Sequence, residues 1–263
     1  MYVRFFDVQA TGDEPRPVAP PLWEFGKVAN DFEIVPVVYI TQSAMLSGRQ
    51  DSLARNIYRT VGAMLSRKFS EIQLDCDWTR RTRDAYFNLI RELKSLGVTV
   101  SVTLRLHQLK NFSVENVPPA DKATLMCYHT SNPELYGDVN AILDVEELKK
   151  YVSKDTGYPI ALDFALPIFS WGVRFRAKKF AGIVSGLTRK DVEKSGLFRR
   201  KGRYLYVARK RGVFKGLNIS ENDEIRVDEP TIQGIAAACG LLSQRVRSKS
   251  GLTLLYDLSE SNL

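Results

Sequence analysis

Histidine and cysteine are scarce in this chain, two and three among 263 residues, and their placement leaves little room for metal or disulfide chemistry. Cys76, Cys127 and Cys239 are scattered. No pair has metal-ligand spacing, and the first two fall inside apolar strand patterns, as buried structural thiols do. His107 and His129 lie at two separate strand ends without a His-Glu-x-x-His signature, so neither a metal nor a cofactor is expected. Long apolar runs are missing too. Stretches such as Ile34 to Ile40 and Ile160 to Phe169 fall far short of the roughly 20 residues of a membrane-spanning helix. The opening Met-Tyr-Val-Arg-Phe-Phe-Asp lacks the basic lead, apolar stretch and cleavage site of an export signal. Repeats and low-complexity tracts are absent. Negative charge is in deficit, 30 Asp and Glu against 38 Lys and Arg, for a net +8. The excess concentrates between Arg174 and Lys215. Its 199–215 stretch interleaves basic residues with aromatics, which suits either polyanion binding or a solvated surface excursion.

A hydrophobic content of 44% supports a full core for one large α/β domain or two small ones. Strand patterns occur at Tyr2 to Val8, Glu33 to Ile40, Glu71 to Asp77, Thr99 to Leu106, Ala123 to Tyr128, Pro159 to Leu166 and Leu252 to Leu258. Between them, Ser52 to Arg67 and Thr82 to Leu96 carry helical apolar stripes, and Asp144 to Lys154 and Thr231 to Arg247 are further helix candidates. Strands alternating with helices predict a parallel sheet with crossover connections. In a doubly wound sheet both faces of the central strands are apolar. Here one face is polar, with Gln73, Asp75 and Asp77 on one strand and Ser101, Thr103, Arg105 and His107 on another. A (β/α)8-type TIM barrel accounts for this, its apolar positions facing helices and its polar ones the lumen, with the functional rim at the C-terminal strand ends. Seven strands are one short, so the first β-α unit is expected to be missing or modified. The chain reads as a single barrel domain over 1–263, with a β-rich insertion at 198–228 before the last helix. Gln9 to Pro21, with four prolines, reads as a loop.

Alternation places Asp75 beside Asp77, and Arg105 beside His107, about 6.5 to 7 Å apart along their strands. Two carboxylates in a lumen repel, so one has a raised pKa and can donate a proton while the other stays ionised, the arrangement glycoside hydrolysis uses. The competing reading is a structural ion pair with Arg105. His107 is either a proton shuttle or an oriented structural histidine. Asp163 is the only charge in a long apolar stretch and requires a partner or a task. Trp78 and Trp171 suit either stacking on sugar rings or loop packing, and Gln108, Tyr128 and Asn140 suit hydrogen bonding at the rim. As an enzyme, Asp77 would be the general acid/base, Asp75 would tune it, Arg105 and His107 would position substrate, and Asp163 would stabilise positive charge.

Tyr2-Val-Arg-Phe-Phe-Asp-Val8, Gln73-Leu-Asp-Cys-Asp-Trp-Thr79, Leu104-Arg-Leu-His-Gln-Leu109, Leu125-Met-Cys-Tyr128 and Ala165-Leu-Pro-Ile-Phe-Ser-Trp171 together resemble a bacterial family of glycoside-hydrolase-like TIM-barrel proteins with no assigned function. The resemblance implies a carbohydrate partner, one further β-α unit ahead of Tyr2, and an exported or envelope location. The Asp-x-Asp strand end is also similar to the Asp-x-x-Asp-x-Asp-x-Glu motif of chitinase-type barrels. Thr79 stands where that motif has its catalytic Glu. Hydrolysis then needs another acid, and the alternatives are a non-catalytic glycan-binding or structural barrel, or a polyanion-binding protein.

Overall fold

Alternating polar and apolar positions give the strands two unlike faces, and the chain folds so that one face meets helices and the other lines a curved interior. The computed structural model describes residues 1–11, 14–18, 33–46, 48–65, 68–248 and 251–257. Its strands are β1 (Tyr2–Thr11), β2 (Glu14–Val18), β3 (Val35–Ile40), β4 (Glu71–Asp75), β5 (Thr99–Arg105), β6 (Lys122–Met126), β7 (Thr156–Gly157), β8 (Ala161–Pro167), β9 (Trp171–Arg176), β10 (Lys179–Ser185), β11 (Phe198–Arg200), β12 (Leu205–Ala208), β13 (Gly212–Phe214), β14 (Leu217–Ile219), β15 (Glu224–Asp228), β16 (Val246–Arg247) and β17 (Thr253–Tyr256). The helices are α1 (Gln42–Met45), α2 (Gln50–Leu65), α3 (Arg83–Ser95), α4 (Leu106–Lys110), α5 (Phe112–Glu115), α6 (Val145–Lys149), α7 (Arg189–Lys194) and α8 (Ile232–Arg245).

Eight strands form the main sheet in the order β17-β8-β6-β5-β4-β3-β1-β2. All neighbours run parallel except β1 and β2. The barrel-like, parallel-dominated sheet expected from sequence is present, although not as a closed (β/α)8 ring among the described residues. The sheet curls as a half-barrel, and among the described residues its edge strands β2 and β17 do not pair. The place beside β1 expected for a missing parallel strand is taken by β2. Two residues separate it from β1, which allows a hairpin but no crossover, so the pairing is antiparallel. The proline-rich stretch read as a loop holds this strand. Pro15 and Pro17 face Ala10 and Val8 across the ladder, and an edge strand tolerates prolines because half its amides need no partner.

Ile72, Leu74, Val100, Val102 and Leu104, on the outer face, are fully buried. They join one core cluster with Leu53, Ile57 and Val61 of α2 and Tyr86, Leu89 and Ile90 of α3. The inner face is polar and internally bonded. Lys122 donates to the Tyr2 hydroxyl at 2.8 Å and pairs with Glu71 at 2.9 Å, while Gln73 donates to Thr124 at 2.9 Å.

The β-rich segment expected at 198–228 belongs to a larger unit that starts at Trp171. Five strands, in the order β10-β9-β15-β12-β11, make an antiparallel sheet with its own apolar cluster, including Leu187, Phe198, Tyr206, Ile225 and Val227. This insertion follows β8 and precedes α8. The loop 131–143 clasps it: Asp138 accepts the amides of Arg203, Tyr204 and Leu205 at 2.7 to 3.0 Å, and Asn140 donates to the Glu229 carbonyl.

Candidate functional site

The C-terminal ends of β3, β4, β5 and β6, with the segments after β8 and β17, enclose a cavity of about 650 Å³. Parallel strands bring their chain reversals to one end, so side chains from distant sequence positions converge there. Tyr39, Asp75, Asp77, Arg105, His107, Tyr128, His129, Tyr151, Phe169, Trp171, Tyr256 and Asp257 are among its lining residues. Of the site residues expected from sequence, Asp75, Asp77, Arg105, His107, Tyr128 and Trp171 meet in this space.

Asp75 accepts a hydrogen bond from the Thr103 hydroxyl at 2.8 Å. Burial, with a smaller contribution from the Asp77 charge, raises its pKa above the usual carboxylate value against the opposing effects of Thr103, Arg4 and Arg105. Asp77 instead pairs with Arg105 at 2.5 Å, both side chains more than a third exposed. A pair so open to water contributes at most about 1 kcal/mol, and a ligand can displace it at little cost. Arg105 engages Asp77 but not Asp75, and the cavity lies above them, so the three do not form a closed structural clamp. Burial and the Arg105 charge lower the pKa of both His107 and His129. Their rings are accordingly neutral near pH 7, each with one donor and one acceptor nitrogen.

Aromatic rings line the same cavity as a connected cluster. Tyr128 and Tyr256 stack with centroids 5.0 Å apart and planes 9° from parallel. His129 stacks on Trp171 at 5.1 Å and 22°, and Phe169 meets Tyr128 edge-on and Trp171 at a tilt. His129 adopts a left-handed backbone, φ 55°, uncommon for a residue with a side chain and frequent at binding sites. Trp171 is anchored from below, its indole Nε1 donating to Asp228 Oδ2 at 2.8 Å. Asp228 is in turn held by Arg226, which donates Nε to Oδ1 at 2.8 Å and Nη2 to Oδ2 at 3.1 Å. Arg226 also donates to the carbonyls of Leu135 and Pro133. Both charges are essentially inaccessible to water.

Four expected site residues lie outside the cavity. Trp78 packs against Tyr86 and Phe87, centroids 6.4 and 5.5 Å away, and is 4% exposed. The same alternation that turns Asp75 and Asp77 inward turns Ile72, Leu74, Cys76 and Trp78 outward. Gln108 is buried, with its Oε1 accepting the Arg105 amide at the start of α4. Asp163 shares the inner face but sits lower, level with Thr124. There it is fully buried, accepts the Leu252 amide and lies 3.8 Å from Lys122. Asn140 likewise serves the loop, bonding Ile142, Leu143 and Glu229. Tyr39, Tyr151, Phe169, Tyr256 and Asp257 line the cavity without being expected there from sequence, and His129, expected at a strand end, lines it as well. Tyr39 carried a signal, being the polar-ended residue level with Asp7 and Asp75 across the sheet. The others belong to loops or terminal strands whose convergence is a tertiary fact.

No family model matches the chain, and no curated protein matches it in sequence. Solved structures do share its fold. The chitinase from Chromobacterium violaceum superposes with a TM-score of 0.60 at 14% identity, over 99% of this chain and 88% of the chitinase. The spore cortex-lytic enzyme SleL of Bacillus cereus gives 0.54 at 16% identity, over 98% of this chain and 64% of its own length. The chain thus has a glycoside-hydrolase-like fold.

Proposed function

We propose that this cavity is a carbohydrate-binding cleft, and that the chain holds a polymer of amino sugars without cleaving it by the glutamate-dependent route of chitinase-type barrels. The observation that carries the reading is that one cavity is lined both by the aromatic cluster of Tyr128, His129, Phe169, Trp171 and Tyr256 and by Asp75, Asp77, Arg105 and His107. Apolar ring faces suit the C–H faces of sugars, and the charged rim suits their hydroxyl and acetamido groups. Two features argue for binding without turnover. Thr79 replaces the motif's glutamate and is absent from the cavity lining, its amide donating to Thr82 instead. Asp77 is engaged by Arg105. The fold shared with a chitinase and a cortex-lytic enzyme supports a carbohydrate partner, and an envelope or exported setting is where such polymers occur.

Calorimetric titration with chitin oligomers of two to six units, beside a reducing-end assay, tests this. Expected are heat of binding without released products, and an affinity loss of about thirtyfold or more in Trp171→Ala, the scale of a lost aromatic anchor. Absence of binding across the panel overturns the reading. A second reading, hydrolysis with Asp75 as proton donor, is favoured by its raised pKa. It predicts products that disappear in Asp75→Asn.

A further inference from the structure

The insertion concentrates the chain's positive charge. Residues 171–228 hold sixteen Lys and Arg against six Asp and Glu, a net +10, which leaves the remaining 205 residues at −2. Only Arg176, Lys201, Lys215 and Arg226 of the sixteen have a carboxylate partner within ion-pair distance among the described residues. The rest gather notably at one edge. β11 is the outermost strand of its sheet, and Arg199, Arg200, Arg203, Arg209, Lys210 and Arg211 around it are all exposed. Pairing of β11 with β12 sets Phe198 against Ala208 and Arg199 against Val207. The Arg209 amide donates to the Leu197 carbonyl, which draws the basic turn to the start of the same strand.

Aromatic surface lies among these charges. Tyr204 is half-buried, with the Arg189 and Arg203 guanidinium carbons 5.0 and 5.2 Å from its ring centroid. Arg200 turns its own guanidinium back to the carbonyls of Gly202 and Arg203. The acidic neighbours include Asp138, whose carboxylate is taken up by the amides of Arg203, Tyr204 and Leu205, Glu193, which accepts from the Tyr206 hydroxyl, and Glu229, which accepts the Arg189 amide. One or two charges suffice to keep a three-residue edge strand from pairing with another chain. Six whose side chains have no ion-pair partner among the described residues exceed that need, and they cost self-repulsion.

We infer that this edge is a docking surface for an anionic polysaccharide, which the arginine forks hold by its carboxylate or sulfate groups while Tyr204 offers a ring face to a sugar. Guanidinium forks match such groups in geometry and charge. The attraction to a polyanion stands apart from the cavity, whereas the choice of a polysaccharide rests on the carbohydrate reading above.

The test uses the full chain with three probes: polygalacturonate, an oligothymidylate of matched charge, and a neutral chitin oligomer. Polygalacturonate is expected to bind best, with affinity falling at least about tenfold between about 50 and 200 mM salt, as counterion release requires. Arg199→Ser/Arg200→Ser/Arg203→Ser is expected to weaken that binding about tenfold or more. Because Arg200 also braces the 200–203 turn, Arg209→Ser/Lys210→Ser/Arg211→Ser serves as an independent variant with the same expected loss. Binding of polygalacturonate that neither variant weakens, or no binding at all, overturns the inference, and tighter binding of the oligothymidylate overturns it in favour of nucleic acid. The neutral oligomer reports the cavity alone, so its failure to bind removes the carbohydrate reading without touching the charge measurement.

Discussion

Asp75 illustrates what a single inward-facing position costs and offers. Thr103 supplies a donor, yet burial dominates and lifts the carboxyl above the ordinary aspartate value of 3.8. The native state therefore holds this proton more tightly than the unfolded chain does. Its contribution to stability is complete below about pH 3.8, declines as pH rises through the raised native pKa, and is level above it. Asp75→Asn keeps an acceptor for Thr103 and removes the charge, so it should match the parent in urea unfolding at low pH and exceed it at pH 7. Lower stability than the parent at pH 7 would contradict this account. Gly202 shows a steric constraint of the same local kind. A Cβ there would lie 2.2 Å from Asp138 Oδ2, and that carboxylate cannot retreat without releasing amides of residues 203–205. Gly202→Ala should cost about 1 to 3 kcal/mol, measured by denaturant titration. A neutral result would mean that the clasp yields freely.

Elements carry these residues to the site with uneven legibility. Strands β3 to β6 and helices α2 and α3 were readable because period-two and helical patterns are local and each buries one defined face. The inward parity of Asp75, Asp77 and Arg105 followed from them, whereas His107, expected beside Arg105 on the same strand, lies in α4 because the strand ends at Arg105. That parity also contained the placement of Trp78, two residues beyond Cys76 on the outward face, but an aromatic beside two acids invited a functional reading. The start of the insertion at β9 was hidden, since Arg174 and Arg176 open the basic stretch that runs to Lys215. What makes β9 a strand is its pairing with β10 and β15, a non-local fact. Through β9 and β15 the insertion reaches the cavity, because Trp171 begins one strand and Asp228 ends the other. Asp228→Ala would strand the buried Arg226 guanidinium and release the indole. It should cost about 3 to 5 kcal/mol and shift Trp171 fluorescence. Asp228→Asn retains one acceptor oxygen and should cost less. Equal losses in both would assign the effect to charge alone.

At the scale of the whole molecule, two apolar clusters raise the question of whether barrel and insertion unfold separately. Their connections argue that they do not. The loop 131–143 starts and ends in the barrel region but spends its hydrogen-bonding groups on the insertion, through Asp138, Asn140 and the carbonyls of Pro133 and Leu135. Melting the insertion would strip those partners from backbone groups and leave Trp171 without its anchor. Releasing the barrel would remove the loop that covers Arg226 and Asp228. Each unit thus loses hydrogen bonds if the other unfolds, and each such bond contributes about 0.5 to 1.5 kcal/mol net. Urea unfolding followed by far-ultraviolet dichroism and by tryptophan fluorescence should therefore give one coincident transition. Replacing 172–227 by a short linker should lower the midpoint as well as the slope, the latter by roughly a fifth in step with the chain removed. Two resolved transitions in the intact chain would show that the insertion is an independent folding unit, and the cavity's aromatic wall would then belong to whichever unit retains Trp171 fluorescence.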